Sequence, residues 1–292
     1  MHLLLALPAP AKLNLFLRVT GRRADGYHEL QTAYTLIGLA DLLDFERRDD
    51  GAIVREGDRV GELEQDLVLR AARALHDHSG TSLGATISVT KRIPAGSGLG
   101  GGSSDAATTL IALNRLWNLN LPRSTLSAIG LSLGADVPFF LHGRDAFAEG
   151  IGEQLTTVEL PPLWFAVLWP QVHVSTAEIF GDAGLTRNSK ATKIADFSTV
   201  AAQLVGEAIG DSGHPSSLVN DLEPVARHRY PVIDEAIKRL ERFGAARMTG
   251  SGSAVFMATR SRDRAEMAVA DVPHGWSGWA VQKLVEHPLA VW

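Results

Sequence analysis

The chain contains no cysteine among its 292 residues, which excludes disulfide cross-links and thiolate chemistry. It has no excess of basic residues, because 28 lysines and arginines stand against 33 acidic residues and the formal net charge is −5. A nucleic-acid partner is therefore not expected. The longest apolar run, residues 163–169, is far too short to cross a bilayer. Residues 1–7 lack the basic segment and cleavage pattern of a signal peptide. We therefore expect a cytoplasmic protein with no membrane partner.

The sequence is nevertheless apolar enough for a substantial core, because 45% of its residues are hydrophobic. The spacing of apolar residues predicts helices over residues 66–79, 105–118, 124–133 and 231–243, and strands over residues 11–20, 85–93, 163–169 and 255–258. Helices and strands mix without a regular βαβ alternation, so the predicted fold class is α+β. The length suits two domains, and the pair Pro161-Pro162 places their boundary between residues 1–160 and 161–292.

The most informative segment reads PAGSGLGGGSSDAA and covers residues 94–107. A loop so rich in glycine can turn its backbone N–H groups towards an oligoanion, and the following helix would point its positive end at the same place. An isolated Gly/Ser run is more often a flexible linker, but this one lies between a predicted strand and a predicted helix. It has neither the Gly-Lys-Ser/Thr ending of a Walker loop nor a dinucleotide-binding pattern. We expect a phosphate cradle, in which Ser103 and Ser104 cap the helix or contact phosphate or magnesium.

Three polar groups accompany this loop. Lys12 and Asn14 share one face of a predicted strand. The alternative to a functional role is that this is an edge strand, on which Lys12 protects against aggregation. The turn Asp25-Gly26-Tyr27-His28 could simply be a surface turn. Asp136 lies before Val137-Pro138; because proline disfavours helix at the preceding residue, we expect the helix to end there and Asp136 to lie on an exposed bend.

These groups are the ones that phosphoryl transfer to an alcohol requires. The reaction needs N–H donors around the phosphates, a cation on the developing charge and a carboxylate near the attacking hydroxyl. We hypothesise that Lys12 lies beside Asp136 and keeps its carboxylate ionised.

Several motifs together resemble the GHMP small-molecule kinases. PAGSGLGGGSSDAA is similar to the second motif of that family, and MTGSGSAVF, residues 248–256, is similar to the third. PAKLNLFLRVTGRRADGYHELQT, GADVPFF, AFAEGIGEQL and NDLEP resemble the branch that phosphorylates a cytidine-diphosphate-linked methylerythritol in non-mevalonate isoprenoid synthesis. The resemblance runs from about residue 9 to residue 258.

The resemblance implies an N-terminal domain like domain 2 of ribosomal protein S5 and a ferredoxin-like C-terminal domain, with the active site in the cleft between them. It implies transfer of the ATP γ-phosphate to the 2-hydroxyl of the methylerythritol, with Asp136 and Lys12 as the catalytic pair. The implied ATP-binding residues are Pro94, Ala95, Gly96, Ser97, Gly98, Leu99, Gly100, Gly101, Gly102, Ser103 and Ser104. The implied substrate-binding residues are Asn14, Tyr27, His28, Ile151, Thr176 and Phe180. Tyr27 and Phe180 would sandwich the cytosine while His28 hydrogen-bonds its edge.

The resemblance also implies Mg²⁺, held mainly by ATP phosphates rather than by a dedicated cluster, with Ser104 as a candidate ligand. Asp66 stands where the family often has asparagine near the adenine. Asp105 stands where the family has asparagine or aspartate, and either caps the helix or binds magnesium. The alternatives are a GHMP kinase for another alcohol, such as homoserine or mevalonate, and a GHMP-fold sensor that binds nucleotide without catalysis. The Tyr27-His28 pair argues against the first, because neither homoserine nor mevalonate has a base to stack on. The presence of both Lys12 and Asp136 argues against the second. A monomer or a weak homodimer is expected.

Overall fold

The computed structural model describes residues 2–193, 197–209 and 218–292. Its first sheet has the strand order β3-β4-β2-β5-β6, and β1 pairs with β2 beside this path. The strands are β1 (Leu3–Arg22), β2 (His28–Arg48), β3 (Ile53–Gly57), β4 (Gly84–Thr90), β5 (Ala146–Glu149) and β6 (Gln154–Thr157). β3 and β4 pair in parallel, and the other named pairs are antiparallel. The long hairpin of β1 and β2 forms the centre of this half of the molecule.

Helices cover one face of the first sheet. They are α1 (Leu67–Ser79), α2 (Gly101–Leu116), α3 (Arg123–Leu133) and α4 (Val137–His142). Leu110 and Leu113 of α2 belong to one buried cluster with Phe45 and Ile87 of the sheet. The N-cap of α1 is Asp66, whose carboxylate accepts hydrogen bonds from the backbone N–H groups of the first turn. The predicted helix over residues 66–79 is thus confirmed.

The second sheet has the strand order β10-β7-β9-β8, and its named pairs are antiparallel. Its strands are β7 (Trp164–Trp169), β8 (Ala246–Met248), β9 (Val255–Thr259) and β10 (Ser277–Gln282). The accompanying helices are α5 (Thr176–Gly181), α6 (Phe197–Ile209), α7 (Glu223–Arg229), α8 (Pro231–Glu241) and α9 (Arg262–Val269). Two sheets with helices interspersed give the predicted α+β class.

A shared apolar core joins the two sheets. Leu13 and Leu15 of β1 lie in one buried cluster with Phe165 of β7 and Phe256 of β9. Lys12 and Asn14 alternate with these leucines and are also buried, at 3% and 2% exposure. β1 is therefore a strand buried on both faces at this point. The alternative that Lys12 guards an exposed edge is wrong, because its side chain is buried against Asn14, Tyr34 and Asp136.

The end of the chain returns to the first sheet. After β10, the Lys283 ammonium lies 2.6 Å from the Asp145 carboxylate, and the Arg123 guanidinium of α3 donates to the carbonyl of Leu289. The domain boundary predicted at residues 160/161 falls in the connection between β6 and β7 and remains a prediction.

The start of α2 differs from expectation. The helix begins at Gly101, four residues before the predicted start, and its N-cap is Gly100 in the left-handed conformation. Ser103, Ser104 and Asp105 therefore lie inside the helix, and the predicted capping roles are wrong. The helix can begin this early because Gly101 has no side chain and can pack closely against Ile93. A Cβ on Gly101 would lie only 2.9 Å from Cγ2 of Ile93.

Two further local predictions are corrected at the ends of α3 and α4. α3 has Pro122 rather than Ser124 as its N-cap. Pro138 does not end a helix but lies in the first turn of α4, where its missing N–H would have no partner in any case. Asp136 immediately precedes α4, and its side chain is 33% exposed, so it is half-buried rather than on an exposed bend.

Candidate active site

A cleft of about 790 Å³ lies between the two halves of the molecule. It is lined by side chains from β1, β2 and α5, by the glycine segment and by a second glycine cluster at residues 250–252. Twelve of the predicted site residues line it: Lys12, Asn14, Tyr27, His28, Gly96, Gly98, Gly100, Ser103, Asp136, Ile151, Thr176 and Phe180. The fold thus brings together residues that are more than 160 positions apart in the chain.

The other predicted residues of the glycine segment lie elsewhere. Pro94, Ala95, Ser97, Gly101 and Gly102 line an adjacent cavity of about 350 Å³, which shares four lining residues with the cleft, namely Gly96, Gly98, Gly100 and Ser103. Leu99 and Ser104 line neither of these two cavities and are fully buried. The Ser104 hydroxyl donates to the Pro10 carbonyl at 2.7 Å. Ser104 is therefore a poor candidate for a magnesium ligand, and Ser103 is the serine that faces both cavities.

A buried polar cluster forms the floor of the cleft. The Lys12 ammonium donates to Oδ1 of Asn14 at 2.5 Å and lies 3.6 Å from Oδ2 of Asp136. The other carboxylate oxygen of Asp136 accepts a 2.9 Å hydrogen bond from the Tyr34 hydroxyl. The Lys12 ammonium also lies 5.5 Å from the centre of the Tyr34 ring, a distance at which cation–π attraction is effective. This geometry confirms the hypothesis that Lys12 lies beside Asp136.

Tyr34 is a site residue that the sequence reasoning missed. Burial, followed by the charge of Asp136, raises the pKa of Tyr34 well above its ordinary value, so the phenol stays protonated and can only donate to the carboxylate. Its segment, QTAYTLIG, reads as an ordinary strand. No local signal marks this tyrosine, because its role depends on a partner 102 residues away.

The glycine segment has the backbone geometry of an anion cradle. Gly96, Gly98 and Gly100 have φ values of +63°, +79° and +76°, which side-chain-bearing residues rarely adopt. Left-handed residues alternating with others turn successive N–H groups inward, and α2 begins directly after Gly100. The segment lies against the second glycine cluster, since a Cβ on Gly98 would be 3.1 Å from the Gly252 carbonyl oxygen. Just beyond that cluster, the Ala254 N–H donates to the Ser97 carbonyl at 2.9 Å. The structure thus supports a loop rigidly shaped for phosphate rather than a flexible linker.

The adjacent cavity contains a buried ionic cluster. The Lys91 ammonium lies 2.5 Å from Asp41 and 2.7 Å from Asp105. Burial raises the pKa of Asp105 to about 7. Asp66, which lines the same cavity, pairs with Arg55 at 3.0 Å while it caps α1. Its carboxylate is thus already engaged by the protein itself.

The far end of the cleft carries the aromatic residues. The His28 and Phe180 rings stack with centroids 5.0 Å apart and an interplanar angle of 28°, so Phe180 contacts His28 in this structure. Tyr27 is 61% exposed. The sandwich of a base between Tyr27 and Phe180 remains a prediction, and it requires the Phe180 ring to present a face to the base.

Other contacts around the cleft were not foreseen. The Arg187 guanidinium donates through Nε to Nε2 of His28 at 3.2 Å, and the hydroxyls of Thr176 and Ser251 are 2.7 Å apart. The Ile151 N–H donates to the Glu153 carboxylate at 2.6 Å, so this backbone donor already has a partner. Burial, and secondarily the positive charge of Arg187, lowers the pKa of His28.

Within residues 2–193, 197–209 and 218–292, no group of three or more histidine or acidic side chains is arranged to hold a metal ion. No helix within those ranges has the length and apolar character needed to cross a membrane.

Comparison with known proteins first defines the class of protein to which the chain belongs. The profile of the GHMP kinases N terminal domain matches residues 66–144, and that of the GHMP kinases C terminal domain matches residues 199–277. A crystal structure of homoserine kinase from Cytophaga hutchinsonii, 17% identical, superposes with a TM-score of 0.70 over 98% of this chain and 96% of that one, which shows a shared fold. The two matched domains and the shared fold define the chain as a GHMP kinase.

Closer relatives narrow the class. The 4-diphosphocytidyl-2-C-methyl-D-erythritol kinase of Burkholderia multivorans is 52% identical over 96% of this chain and 94% of its own length. A crystal structure of 4-(cytidine 5'-diphospho)-2C-methyl-D-erythritol kinase, 34% identical, has a TM-score of 0.79 and covers 94% of this chain and 98% of that one. The chain belongs to the 4-diphosphocytidyl-2-C-methyl-D-erythritol kinase family. The predicted fold class and the resemblance are confirmed.

Proposed function

We propose that this protein transfers the γ-phosphate of ATP to the 2-hydroxyl of 4-diphosphocytidyl-2-C-methyl-D-erythritol. The observation that carries the proposal is the ion pair of Lys12 and Asp136, which lies in the same cleft as the left-handed glycines of the phosphate loop. Family membership supports ATP as the co-substrate, and the relatives' names supply the acceptor.

Asp136 is proposed to accept the proton of the attacking hydroxyl. Its Oδ1 is occupied by the Tyr34 phenol, which leaves Oδ2 for the substrate. As the hydroxyl oxygen bonds to the γ-phosphorus, its proton passes to Oδ2, and the bond to the bridging oxygen breaks to release ADP. Lys12 lies on the Oδ2 side, where its charge stabilises the oxygen that is losing its proton.

The glycine segment is proposed to hold the phosphates of ATP. Its inward-turned N–H groups and the start of α2 supply fixed dipoles for the charge that spreads over the transferred group. Mg²⁺ is proposed to bind mainly to ATP phosphate oxygens, with the Ser103 hydroxyl as the protein donor and charge neutralisation as its chemistry. Ser103 lines the cleft, and its hydroxyl is an oxygen donor of the kind that this hard cation prefers.

The substrate is proposed to lie along the cleft. Asn14 would contact the erythritol end, since it hydrogen-bonds to Lys12. Tyr27, His28 and Phe180 would hold the cytosine, and Ile151 and Thr176 would contact the substrate as well, because all five line the same cleft as the catalytic pair. Two aromatic rings bind a flat base by stacking, which adds about 0.5–1.5 kcal/mol per ring pair beyond area burial.

The test is an ATP-consumption assay with the Asp136→Ala and Asp136→Asn variants. Both should lower kcat by several orders of magnitude with little change in ATP affinity, because the lost interaction forms only during the reaction. Asp77→Asn is a matched control, since the Asp77 side chain is 84% exposed on α1. Near-normal turnover in either Asp136 variant would remove this residue from the mechanism.

The same assay separates the alternatives when the acceptor is varied. Preferred turnover of homoserine or mevalonate over the cytidyl substrate would assign the chain to another alcohol. Nucleotide binding without consumption of ATP on any of the three acceptors would indicate a sensor.

A further inference from the structure

We infer that Arg187 is a positioning residue that fixes the His28 imidazole in its Nδ1–H tautomer and thereby makes the base pocket selective for cytosine over uracil. This inference rests on the proposed function, because it takes His28 as the residue that faces the edge of the base. It adds a residue that no motif identified, 159 positions from its partner in sequence.

The hydrogen-bond chemistry of arginine determines the tautomer. A guanidinium has N–H donors and no acceptor, so the 3.2 Å contact from Nε of Arg187 requires Nε2 of His28 to accept. The proton of the neutral imidazole must then reside on Nδ1. Among the described residues, Nδ1 of His28 has no hydrogen-bond partner, and the ring lines the cleft. His28 therefore presents a donor to whatever lies opposite Nδ1.

The guanidinium itself is held in place. Nη2 of Arg187 donates to the carbonyls of Phe180 and Asp182 at 2.9 and 2.6 Å, and Nη1 donates to that of Leu185 at 3.2 Å. Three backbone acceptors, at the C-terminal end of α5 and in the segment that follows it, fix the plane of the group and hence the direction of its Nε–H. The end of α5 also carries the Phe180 ring that stacks on His28. One side chain thus fixes the orientation, the tautomer and the stacking partner of the imidazole.

Charge acts in the same direction as the hydrogen bond. The positive groups that act on His28 are Arg187 and Arg22, and together with burial they lower its pKa. A neutral ring is required for the tautomer to matter, because the imidazolium would donate from both nitrogens.

A fixed donor discriminates between the two pyrimidines. At the N3 position cytosine offers a lone pair, whereas uracil offers an N–H group. The Nδ1–H of His28 would donate to N3 of cytosine. In uracil it would face the N3–H, and these two donors would both lack an acceptor. If the imidazole were free to change tautomer, Nδ1 could accept from uracil, and the discrimination would weaken.

The first experiment needs no substrate. Imidazole ¹⁵N chemical shifts of the free protein, assigned with a His28→Gln variant, should show a protonated Nδ1 and an unprotonated Nε2 in His28. In Arg187→Met, which keeps the aliphatic stem and removes every donor, the two nitrogens should move towards a tautomer mixture. A protonated Nε2 in the unmodified protein would overturn the inference, whatever the protein phosphorylates.

The second experiment measures base selectivity. The ratio of kcat/KM for the cytidine substrate to that for its uridine analogue should fall about tenfold in Arg187→Met, the size of one hydrogen bond, mainly through KM. Arg187→Lys keeps the charge but replaces the planar guanidinium with one ammonium. Its selectivity ratio should lie between that of the unmodified protein and that of Arg187→Met. Arg239→Met, at an ion pair with the exposed Asp271, controls for loss of a surface arginine. Equal losses on both substrates, with a lowered melting temperature, would show a purely structural role and refute the assignment.

Discussion

Replacing Gly98 by alanine should disrupt the phosphate loop, and the structure sets the size of the effect. Gly98 has a φ of +79°, and a Cβ there would lie 2.3 Å from the carbonyl oxygen of Thr249. The left-handed conformation costs about 1–2 kcal/mol for a residue with a Cβ, and an overlap with backbone that must move costs about 1–3 kcal/mol more. We therefore expect Gly98→Ala to lower the free energy of unfolding by about 2–5 kcal/mol.

Gly102→Ala is the matched control, four residues away in the same segment. Gly102 lies in the first turn of α2, and a Cβ there would meet only Cδ1 of Leu67 at 3.5 Å, an ordinary contact. Alanine is favoured over glycine inside a helix by about 0.5–1 kcal/mol. This variant should therefore unfold at the same denaturant concentration as the original protein, or at a slightly higher one.

Denaturant unfolding and an ATP titration together test the reasoning. Because the Gly98 backbone lies against Thr249 and Gly252, the added methyl group must push the two glycine clusters apart, and ATP affinity should fall at least about tenfold. A Gly98→Ala protein with unchanged stability and unchanged ATP affinity would show that the loop is not held against the second cluster. A large loss of stability and ATP affinity in both variants would show that any added side chain in this segment is harmful. The contacts specific to Gly98 would then not explain its effect.

Two further predictions concern buried hydroxyl and carboxyl groups. Tyr34→Phe removes the phenol that occupies one oxygen of Asp136, and kcat should fall up to about tenfold, the worth of one hydrogen bond; an unchanged kcat would exclude a positioning role. Burial raises the pKa of Asp105 to about 7 beside Lys91 and Asp41, so the folded state favours the protonated acid, and stability should fall as pH rises from about 4 to about 7. Asp105→Asn should abolish this pH-dependent fall in the free energy of unfolding, which is on the order of a few kcal/mol. Unfolding curves at pH 5 and pH 8 measure it, and a variant that kept the full pH dependence would contradict the prediction.

The parts of the site that the sequence could predict depend on short-range geometry. Strand alternation is enough to place Lys12 and Asn14 on one face, and their hydrogen bond confirms it. The glycine segment is equally local, since its conformation follows from residues that lack a Cβ. Its position between a strand and a helix could be inferred for the same reason.

The local errors come from tertiary packing that overrides a capping preference. Serine is a favoured N-cap, yet α2 begins before Ser103 because Gly100 and Gly101 allow close packing against Phe140 and Ile93. Pro138 shows the same limit, because a proline can either end a helix or stand in the first turn of one. Sequence alone does not tell which of the two roles applies.

The residues that were missed act across the fold. Tyr34 reaches Asp136 over 102 residues and Arg187 reaches His28 over 159. Each lies in a segment whose pattern is fully explained without the site. Tyr34 meets Asp136 because α4 packs against β2, where the Tyr34 and Phe139 rings stack. Arg187 meets His28 because the segment after α5 lies against the start of β2.

Burial of Lys12 determines how variants of the catalytic pair should be interpreted. Its side chain is 4% exposed, and an ammonium removed from water costs several kcal/mol unless partners offset the loss; Asn14 and Asp136 are those partners. Asp136→Ala leaves this charge with one acceptor fewer, so part of its activity loss would come from a destabilised fold. Asp136→Asn keeps a carbonyl that can accept from Lys12 or Tyr34 while it removes the basic oxygen. The fall in kcat of the asparagine variant, measured on protein with an unchanged unfolding curve, is therefore the value that reports proton acceptance by Asp136.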